Sequence, residues 1–221
     1  YLIKSIFLHK NTRMIETSTM KTKKFFNDAI KEFEIPTERK VLLNSIAQFI
    51  SDERKKFNKV RVNFICTHNS RRSQLAQVWA HYAISFYKLK RIRSHSGGTE
   101  TTAFHRNTIS TLQDVGFKFT LKEFSHENPI YEISYKGIKK PIIGFSKLYD
   151  HKINKAHFIA ITTCSSAAEN CPFIPEAAQR FHLPYIDPKS SDDTEFMSEK
   201  YLETNRQIAA EMNYIFQQVS K

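Results

Sequence analysis

The stretch VRVNFICTHNSRRSQLAQVWA (60–80) decides the fold class. Its first part, VRVNFIC (60–66), is β-branched and aromatic over the length of one strand. From Leu75 onward, apolar residues recur at the spacing of a helix face. A short polar loop, CTHNSRRS (66–73), joins the two. The stretch therefore predicts a strand, a loop and a helix, and it places the loop at the carboxyl end of the strand, where α/β sheets bind ligands.

The same alternation continues along the chain. RIRSHSGG (91–98) predicts a second strand that ends in a glycine turn, and TAFHRNTISTLQDVGF (102–117) predicts a helix stopped by Gly116. HFIAITTC (157–164) has the continuous apolar character of a strand buried in a parallel sheet, and residues 200–219 have the pattern of an amphipathic helix. We therefore predict an α/β fold with a doubly wound, mainly parallel four-stranded sheet flanked by helices.

Two additions accompany this domain. Residues 22–33 and 38–50 carry apolar side chains at helical spacing on either side of Pro36, which predicts an N-terminal helical hairpin. We interpret it as an extension that packs on the domain, with a dimer contact or a DNA-binding helix pair as alternatives. Residues 127–150 alternate around Gly137 and predict a β-hairpin-like insertion. For this insertion we favour decoration or a partner contact over a substrate wall.

These patterns divide the chain into three parts. Residues 1–19 are expected to be a leader that is disordered or not native, with the native start at Met14 or Met20. Residues 20–58 form the N-terminal helical extension. Residues 59–221 are expected to form the α/β domain, which includes the insertion at about 127–150.

The composition excludes several classes of protein. The chain has 221 residues, and 40% of them are hydrophobic, which is enough for a core and excludes global disorder. No run of about 18 apolar residues occurs, so the sequence predicts no transmembrane helix. The three cysteines are an odd, widely spaced set, which favours a cytoplasmic protein over a secreted disulfide scaffold. The net charge of +12 indicates an anionic partner: nucleic acid, a membrane surface or a small oxyanion.

The loop has the chemistry of an oxyanion site that contains a nucleophile. The start of a helix offers unpaired N–H groups and a positive dipole end, which suit a tetrahedral oxyanion. Cys66 lies at the end of the strand and Arg72 six positions on, so the guanidinium and the loop N–H groups can point at one anion above the sulfur. The same field favours the nucleophilic thiolate form of Cys66. The predicted anion-binding residues are Thr67, His68, Asn69, Ser70, Arg71, Arg72 and Ser73.

Two residues of the loop have further predicted roles. Ser73 is placed to donate a hydrogen bond to the Cys66 sulfur. Asn69 is a residue type that holds a left-handed backbone conformation through its side chain. The alternative interpretation of this loop is a buried structural cysteine beside surface arginines.

The C-x5-R-S pattern after a strand resembles the phosphate-binding loop of the low-molecular-weight protein tyrosine phosphatases. The wider segment FICTHNSRRSQLAQVWA (64–80) is similar to that of the thioredoxin-coupled arsenate reductases, which are built on the same fold. That family usually has Gly at the position of His68 and often Cys at the position of Arg71. It also holds a monovalent cation near a serine turn that resembles the turn at Ser96. Because Gln77 stands where that site would want an acidic residue, we carry over no metal site.

The resemblance also implies a redox relay and a general acid. Cys164 ends a strand and Cys171 follows seven residues later before a proline, as in the redox loop of the arsenate reductases. Asp187, followed by Pro188, matches the aspartate that supplies the general acid. The residues by themselves are also compatible with two buried thiols or half of a zinc site, and with a simple turn aspartate.

The resemblance therefore implies an arsenate reductase without a bound cofactor. Cys66 attacks arsenate, and Cys164 and Cys171 relay a disulfide to thioredoxin or another thiol system. The alternative is a phosphatase that hydrolyses phosphotyrosine or small phosphate esters through a cysteinyl-phosphate. A third hypothesis is a basic module that binds nucleic acid through the N-terminal hairpin. We favour a small oxyanion and thioredoxin as partners, and neither nucleic acid nor a membrane.

Overall fold

The computed structural model describes residues 21–155, 157–170 and 174–221. The leader predicted at residues 1–19 and the relay residue Cys171 lie outside these ranges. Met14 and Met20 also lie outside them, so the native start stays a prediction.

Within these ranges, a pair of N-terminal helices is followed by seven strands and four further helices. The helices are α1 (21–32), α2 (Thr37–Lys56), α3 (Arg72–Phe86), α4 (Arg106–Asp114), α5 (Ser165–Asn170) and α6 (Met197–Val219), with a short 3-10 helix at Pro188–Ser191. The strands are β1 (Val60–Cys66), β2 (Ile92–Gly98), β3 (Lys118–Glu123), β4 (Ile130–Ser134), β5 (Ile142–Gly144), β6 (Phe158–Thr162) and β7 (Ala177–His182). Within the described ranges, none of the helices is both long and apolar enough to span a membrane.

The central sheet has the strand order β2-β1-β6-β7, and all its pairs are parallel. This confirms the predicted doubly wound sheet. In its register, Cys66 at the end of β1 pairs with Gly98 at the end of β2. Ile65 pairs with Thr162 at the end of β6. Three strands therefore end at the same edge, and the loops that follow them meet there.

Both faces of the central sheet are covered. On the larger face, Val62 and Phe64 of β1 share a buried cluster with Trp79 of α3 and with residues of α1, α2 and α6. On the opposite face, Ile65 of β1 and Phe158 of β6 pack with a residue of α5. Successive side chains of a strand point to opposite faces, so a strand covered on both sides needs apolar residues throughout. This explains the continuous apolar run of β6.

The N-terminal helices pack on the domain, as predicted. Phe26 of α1 is fully buried and stacks on Trp79, with the ring centroids 5.7 Å apart. The carbonyl of Phe26 accepts a hydrogen bond of 3.0 Å from Asn213 Nδ2 on α6. α2 is longer than predicted and continues to Lys56, because basic side chains in its last turn suit the negative end of the helix dipole. The domain boundary at residue 58 stays a prediction.

The insertion at 127–150 contains the predicted hairpin, and the structure adds a third strand. β4 and β5 pair antiparallel, and the turn between them contains Gly137 at φ +87°, a conformation that favours glycine. β3 pairs antiparallel with β4, which gives the strand order β3-β4-β5. Apolar Phe119 and Leu121 alternate with polar residues in β3, and most of its side chains are exposed.

One helix starts later than predicted. α4 begins at Arg106 rather than at 102, because the preceding backbone binds the loop after β1. Glu100 N donates to Thr67 O at 2.8 Å, and His105 N donates to Ser70 O at 3.1 Å. Tertiary hydrogen bonds therefore override local helix propensity in this segment. Gly116 follows the helix at φ +101°, which agrees with its predicted role as the stop.

Candidate active site

The nucleophile candidate stands at the edge where β1, β2 and β6 end. Cys66 is the last residue of β1, residues 67–71 form the loop, and α3 begins at Arg72. The Cys66 side chain is buried. Its Sγ lies 3.0 Å from Ser73 Oγ. The predicted contact between Ser73 and the sulfur is therefore present.

The carbonyls of the loop are bound by the segments around it. These contacts are Glu100 N to Thr67 O at 2.8 Å, Ser146 Oγ to His68 O at 2.7 Å, and His105 N to Ser70 O at 3.1 Å. The C=O and N–H groups of a trans peptide point in opposite directions, so carbonyls held outward turn the N–H groups inward. In the described part of the chain, no protein atom accepts from the N–H groups of residues 68–71. These groups are therefore available to an anion.

Asn69 holds the turn of the loop, as predicted. It is fully buried and has φ +47°. Its Nδ2 donates to Ser73 Oγ at 2.8 Å. Its Oδ1 accepts from Lys147 N at 3.1 Å and from Gln74 Nε2 at 3.2 Å. Because the Ser73 oxygen already accepts from Asn69, its own hydrogen is free for the Cys66 sulfur.

The backbone approaches the loop so closely at Gly98 that no side chain fits there. A Cβ at this position would lie 2.5 Å from Thr67 O and 2.8 Å from Asn69 N. At Gly97 a Cβ would lie 2.3 Å from the Cα of Tyr149. The glycine turn predicted after β2 is therefore required for the close packing of three segments at this edge.

Arg72 and Asp187 are brought together from distant parts of the chain. Arg72 Nη2 donates to Asp187 Oδ2 at 2.5 Å, and Nη1 donates to Tyr185 O at 3.0 Å. The other oxygen of Asp187 accepts from Lys189 N at 3.1 Å, in the first turn of the 3-10 helix. The Asp187 side chain is 37% exposed. The predicted general acid therefore stands beside the predicted anion-binding arginine with access to water, and its catalytic role stays a prediction.

The side chain of Arg71 is bound to Tyr201 and Asp192, and its predicted place among the anion-binding side chains stays a prediction. Its Nε donates to Tyr201 OH at 2.6 Å and its Nη2 donates to Asp192 Oδ2 at 2.6 Å. Tyr201 OH in turn donates to Asp192 Oδ1 at 2.8 Å. Burial raises the pKa of Tyr201 to about 12, so this hydroxyl keeps its proton. Arg71 therefore ties the loop to α6 and to the turn that follows Asp187.

The remaining side chains of the predicted anion site are bound to the protein. His68 Nε2 lies 3.3 Å from Glu100 Oε2, and both side chains are exposed. The backbone at His68 does not enter the left-handed region, so a glycine is not needed at this position. Ser70 Oγ donates to Ala103 O at 2.7 Å. For His68 and Ser70, the group left for an anion is the backbone N–H.

Cys164 reaches the same edge from β6. It lies two residues beyond the end of the strand and is 2% exposed. Its Sγ lies 3.5 Å from Thr67 Oγ1 and accepts from Ala167 N at 3.4 Å. Cys66 and Cys164 are free thiols in one buried cluster. The parallel strand order therefore brings the two thiols together as predicted, while their roles and the pairing with Cys171 stay predictions.

A polar cluster behind the loop contains a lysine that the sequence does not single out. Lys147 is 2% exposed, and its Nζ donates to Ser96 Oγ at 3.3 Å and to Phe145 O at 3.4 Å. Burial lowers the pKa of Lys147 from 10.5 to about 7. Ser146 and Lys147 both bind the loop, so this end of the insertion holds the loop in place, while decoration or partner contact stays a prediction for the insertion. In the sequence, Lys147 resembles any surface lysine, because only the fold buries it.

A groove of about 580 Å³ opens beside Asp187. Ile186, whose side chain is highly exposed, lines it together with residues of α6. Glu32 and Phe33 at the end of α1 complete the lining. The N-terminal extension therefore contributes to the surface next to the candidate active site, which the sequence does not predict.

The chain is similar to known proteins in sequence and in fold, and no protein-family model matches it. The chain is 28% identical to arsenate reductase 2 of Staphylococcus saprophyticus over 139 residues, which cover 63% of this chain and 86% of that protein. It is 28% identical to an arsenate reductase of Staphylococcus aureus over 138 residues, which cover 62% of this chain and 86% of that protein. The predicted resemblance to the arsenate reductases is therefore confirmed.

The fold is similar to a crystal structure of a low-molecular-weight protein tyrosine phosphatase from T. tengcongensis. The TM-score is 0.51 at 16% identity, and the match covers 72% of this chain and 99% of that chain. This similarity confirms the predicted fold class.

Proposed function

We propose that this chain, which has a low-molecular-weight phosphatase fold and resembles arsenate reductases, reduces arsenate to arsenite with Cys66 as the nucleophile. The observation that carries the proposal is the second buried thiol at the loop, since Cys164 Sγ lies 3.5 Å from Thr67 Oγ1. A phosphatase of this fold completes its reaction with water and needs no second thiol. Reduction of arsenate requires an electron pair, which two thiols supply when they form a disulfide.

The loop supplies the donors that a tetrahedral oxyanion requires. The N–H groups of residues 68–71 and the start of α3 favour negative charge. Arg72, the first residue of α3, adds a guanidinium that is bound to Asp187 and to the carbonyl of Tyr185. Arsenate bound by this set of donors is held above the Cys66 sulfur.

The first chemical step joins sulfur to arsenic. The Cys66 thiolate attacks arsenic(V), and an As–S bond forms while an As–O bond breaks. Asp187 in its acid form donates a proton to the departing oxygen, which leaves as water. The hydrogen bond between Ser73 and the sulfur, 3.0 Å long, stabilises the thiolate before the attack.

The second step transfers the electrons. The Cys164 thiolate attacks the Cys66 sulfur, and a Cys66–Cys164 disulfide forms as the As–S bond breaks. The electron pair of that bond stays on arsenic, so arsenic(V) becomes arsenic(III) and arsenite is released. The two thiols are oxidised together, and the electrons balance.

The third step regenerates the nucleophile. The Cys171 thiolate attacks Cys164, which forms a Cys164–Cys171 disulfide and frees the Cys66 thiolate. An external dithiol, thioredoxin or another thiol system, then reduces this disulfide. α5 lies directly after Cys164 and has only six residues. A disulfide between the two ends of this segment requires their Cα atoms within about 7 Å, so α5 must rearrange.

The test compares two activities in the same set of variants. Thioredoxin-coupled arsenate turnover and p-nitrophenyl phosphate hydrolysis are measured for the wild type, Cys66→Ser, Cys164→Ser and Cys171→Ser. We expect Cys66→Ser to lose both activities, because both use the same nucleophile. We expect Cys164→Ser and Cys171→Ser to lose multiple-turnover arsenate reduction and to retain ester hydrolysis. The exposed neighbour Ser165 provides a control, and Ser165→Ala should retain both activities.

Two outcomes contradict parts of this proposal. Wild-type arsenate turnover in Cys171→Ser would show that the relay is wrong. Ester hydrolysis by the wild type, without arsenate reduction by either a thioredoxin or a glutathione system, would identify the chain as a phosphatase instead.

A further inference from the structure

Lys147 carries a buried ammonium that pairs with no carboxylate in residues 21–155, 157–170 and 174–221. It lies in the segment between β5 and β6 and is 2% exposed. Of the carboxylates that the structure describes, none forms an ion pair with its Nζ, and burial is the cause of its lowered pKa. An unpaired buried charge is costly, so a lysine in this state next to a candidate active site is itself a candidate functional residue.

Neutral groups surround the ammonium. Its Nζ donates to Ser96 Oγ and to Phe145 O, and it lies 4.9 Å from the centroid of the Phe145 ring. Two histidines face it, His95 from β2 and His151 from its own segment. Burial first, and the ammonium second, lower the pKa of His95 to about 4 and lower the pKa of His151. Both imidazoles are therefore neutral at pH 7, and of these three groups Lys147 is the one that still binds a proton near that pH.

A directed chain of hydrogen bonds leads from Lys147 to the nucleophile. Lys147 N donates to Asn69 Oδ1 at 3.1 Å, and Asn69 Nδ2 donates to Ser73 Oγ at 2.8 Å. Ser73 Oγ lies 3.0 Å from Cys66 Sγ, and its hydrogen is free for the sulfur. Every donor in this chain points toward the sulfur, which favours negative charge there.

The ammonium fixes the first link of this chain. By donating to Ser96 and Phe145, it anchors the segment whose backbone N–H binds Asn69. Its positive charge behind the loop also favours a thiolate directly, because the intervening medium is protein rather than water. We propose that Lys147 is a positioning residue whose buried ammonium holds Asn69 and Ser73 in place and favours the thiolate form of Cys66.

This inference rests on the proposed role of Cys66 as the nucleophile, but not on the identity of the oxyanion. Its readout is therefore the ionisation of Cys66 without substrate. The rate of iodoacetamide alkylation is measured against pH by mass spectrometry, in a Cys164→Ser/Cys171→Ser background where Cys66 is the thiol that remains. The midpoint of this profile reports thiolate formation.

Three variants are added to that background. We expect Lys147→Met to raise the midpoint by about one pH unit, because it keeps the backbone N–H and removes the charge. Ser96→Ala, which removes one acceptor of the ammonium, should raise the midpoint by a smaller amount. Lys152→Met neutralises an exposed lysine of the same segment and should leave the midpoint within about 0.2 unit, because water screens that charge.

The proposal is overturned if Lys147→Met has a native circular dichroism spectrum and the same midpoint as Lys152→Met. If Lys147→Met does not fold, the Ser96→Ala variant is the test instead. An unchanged midpoint of Cys66 alkylation in Ser96→Ala then overturns the proposal. A shifted midpoint in this background, together with a wild-type protein that does not reduce arsenate, would reject the proposed function alone. Normal arsenate reduction with an unshifted midpoint would reject this inference alone.

Discussion

Arg39 and Lys147 are both largely buried cations, and they differ in the groups that accept their hydrogen bonds. Arg39 of α2 donates to both carboxylate oxygens of Glu211 on α6, at 2.5 and 3.0 Å, and Glu211 is fully buried. Among the residues that the structure describes, the acceptors of Lys147 Nζ are neutral, namely Ser96 Oγ and Phe145 O. The paired cation stabilises the contact between the N-terminal extension and the domain. The unpaired cation lies behind the candidate nucleophile, where we propose that its positive charge favours the thiolate form of Cys66.

The largest expected effect comes from breaking the paired cation. Arg39→Met leaves the Glu211 carboxylate buried beside Tyr185 OH without its counter-charge. We expect the free energy of unfolding to fall by about 3–5 kcal/mol, measured by urea denaturation. Arg206→Met is the matched control, because its ion pair with Glu32 is partly exposed, and it should cost less than about 1 kcal/mol. Equal losses in the two variants would contradict a structural role for the buried pair.

Replacing the unpaired cation, Lys147, should change the free energy of unfolding in the opposite direction. Burial lowers the pKa of Lys147 to about 7, so between pH 7 and 10.5 the unfolded chain binds more protons at this site than the native protein. The stability contribution of Lys147 is therefore least favourable below pH 7 and improves as the pH rises. We expect Lys147→Met to raise the free energy of unfolding by about 2–4 kcal/mol at pH 6, because it removes a desolvated charge.

The pH dependence tests this second prediction. The advantage of Lys147→Met over the wild type should shrink between pH 7 and 10 in urea denaturation at a series of pH values. The exposed-site control Lys152→Met should match the wild type throughout. A variant that is less stable than the wild type at pH 6 would show that the ammonium is a net stabilising group.

The smallest expected effect concerns the contact between Arg71 and α6. Tyr201→Phe removes the hydroxyl that accepts from Arg71 and donates to Asp192, and so loosens the turn after Asp187. We expect kcat for arsenate reduction to fall about 3- to 10-fold with little change in KM, because the general acid is less well positioned. Tyr214→Phe on the same helix removes a hydroxyl bound to the exposed Asn44 and should leave kcat unchanged. A rise in KM alone would indicate a role in binding instead.

Local features of the site could be predicted because they depend on residues a few positions apart. The β-branched run of β1 and the helical spacing after Leu75 predict the strand-loop-helix unit. Asn69 adopts the predicted left-handed conformation, and Gly116 follows α4 at positive φ. The shared edge of Cys66 and Cys164 follows from the rule that parallel strands end together.

Other features could not be predicted because they depend on pairing across the fold. The alternation of Phe119 and Leu121 is compatible with a strand, but the pairing with β4 decides which sheet β3 joins. The orientation of Arg71 depends on Asp192 and Tyr201, which are more than a hundred residues away. No local pattern reports such partners.

The sequence by itself determined the strand, the anion loop and the helix of this protein, together with the six-residue spacing of Cys66 and Arg72, because these depend on backbone preferences and short-range periodicity. Only the tertiary structure decided which charges are paired and which side chains face the site. Two arginines adjacent in sequence, Arg71 and Arg72, bind Asp192 and Asp187 respectively. A lysine in an unremarkable segment, Lys147, becomes a buried cation behind the loop. Burial and partner choice are set by segments distant in the chain, and they determine the electrostatics of this site.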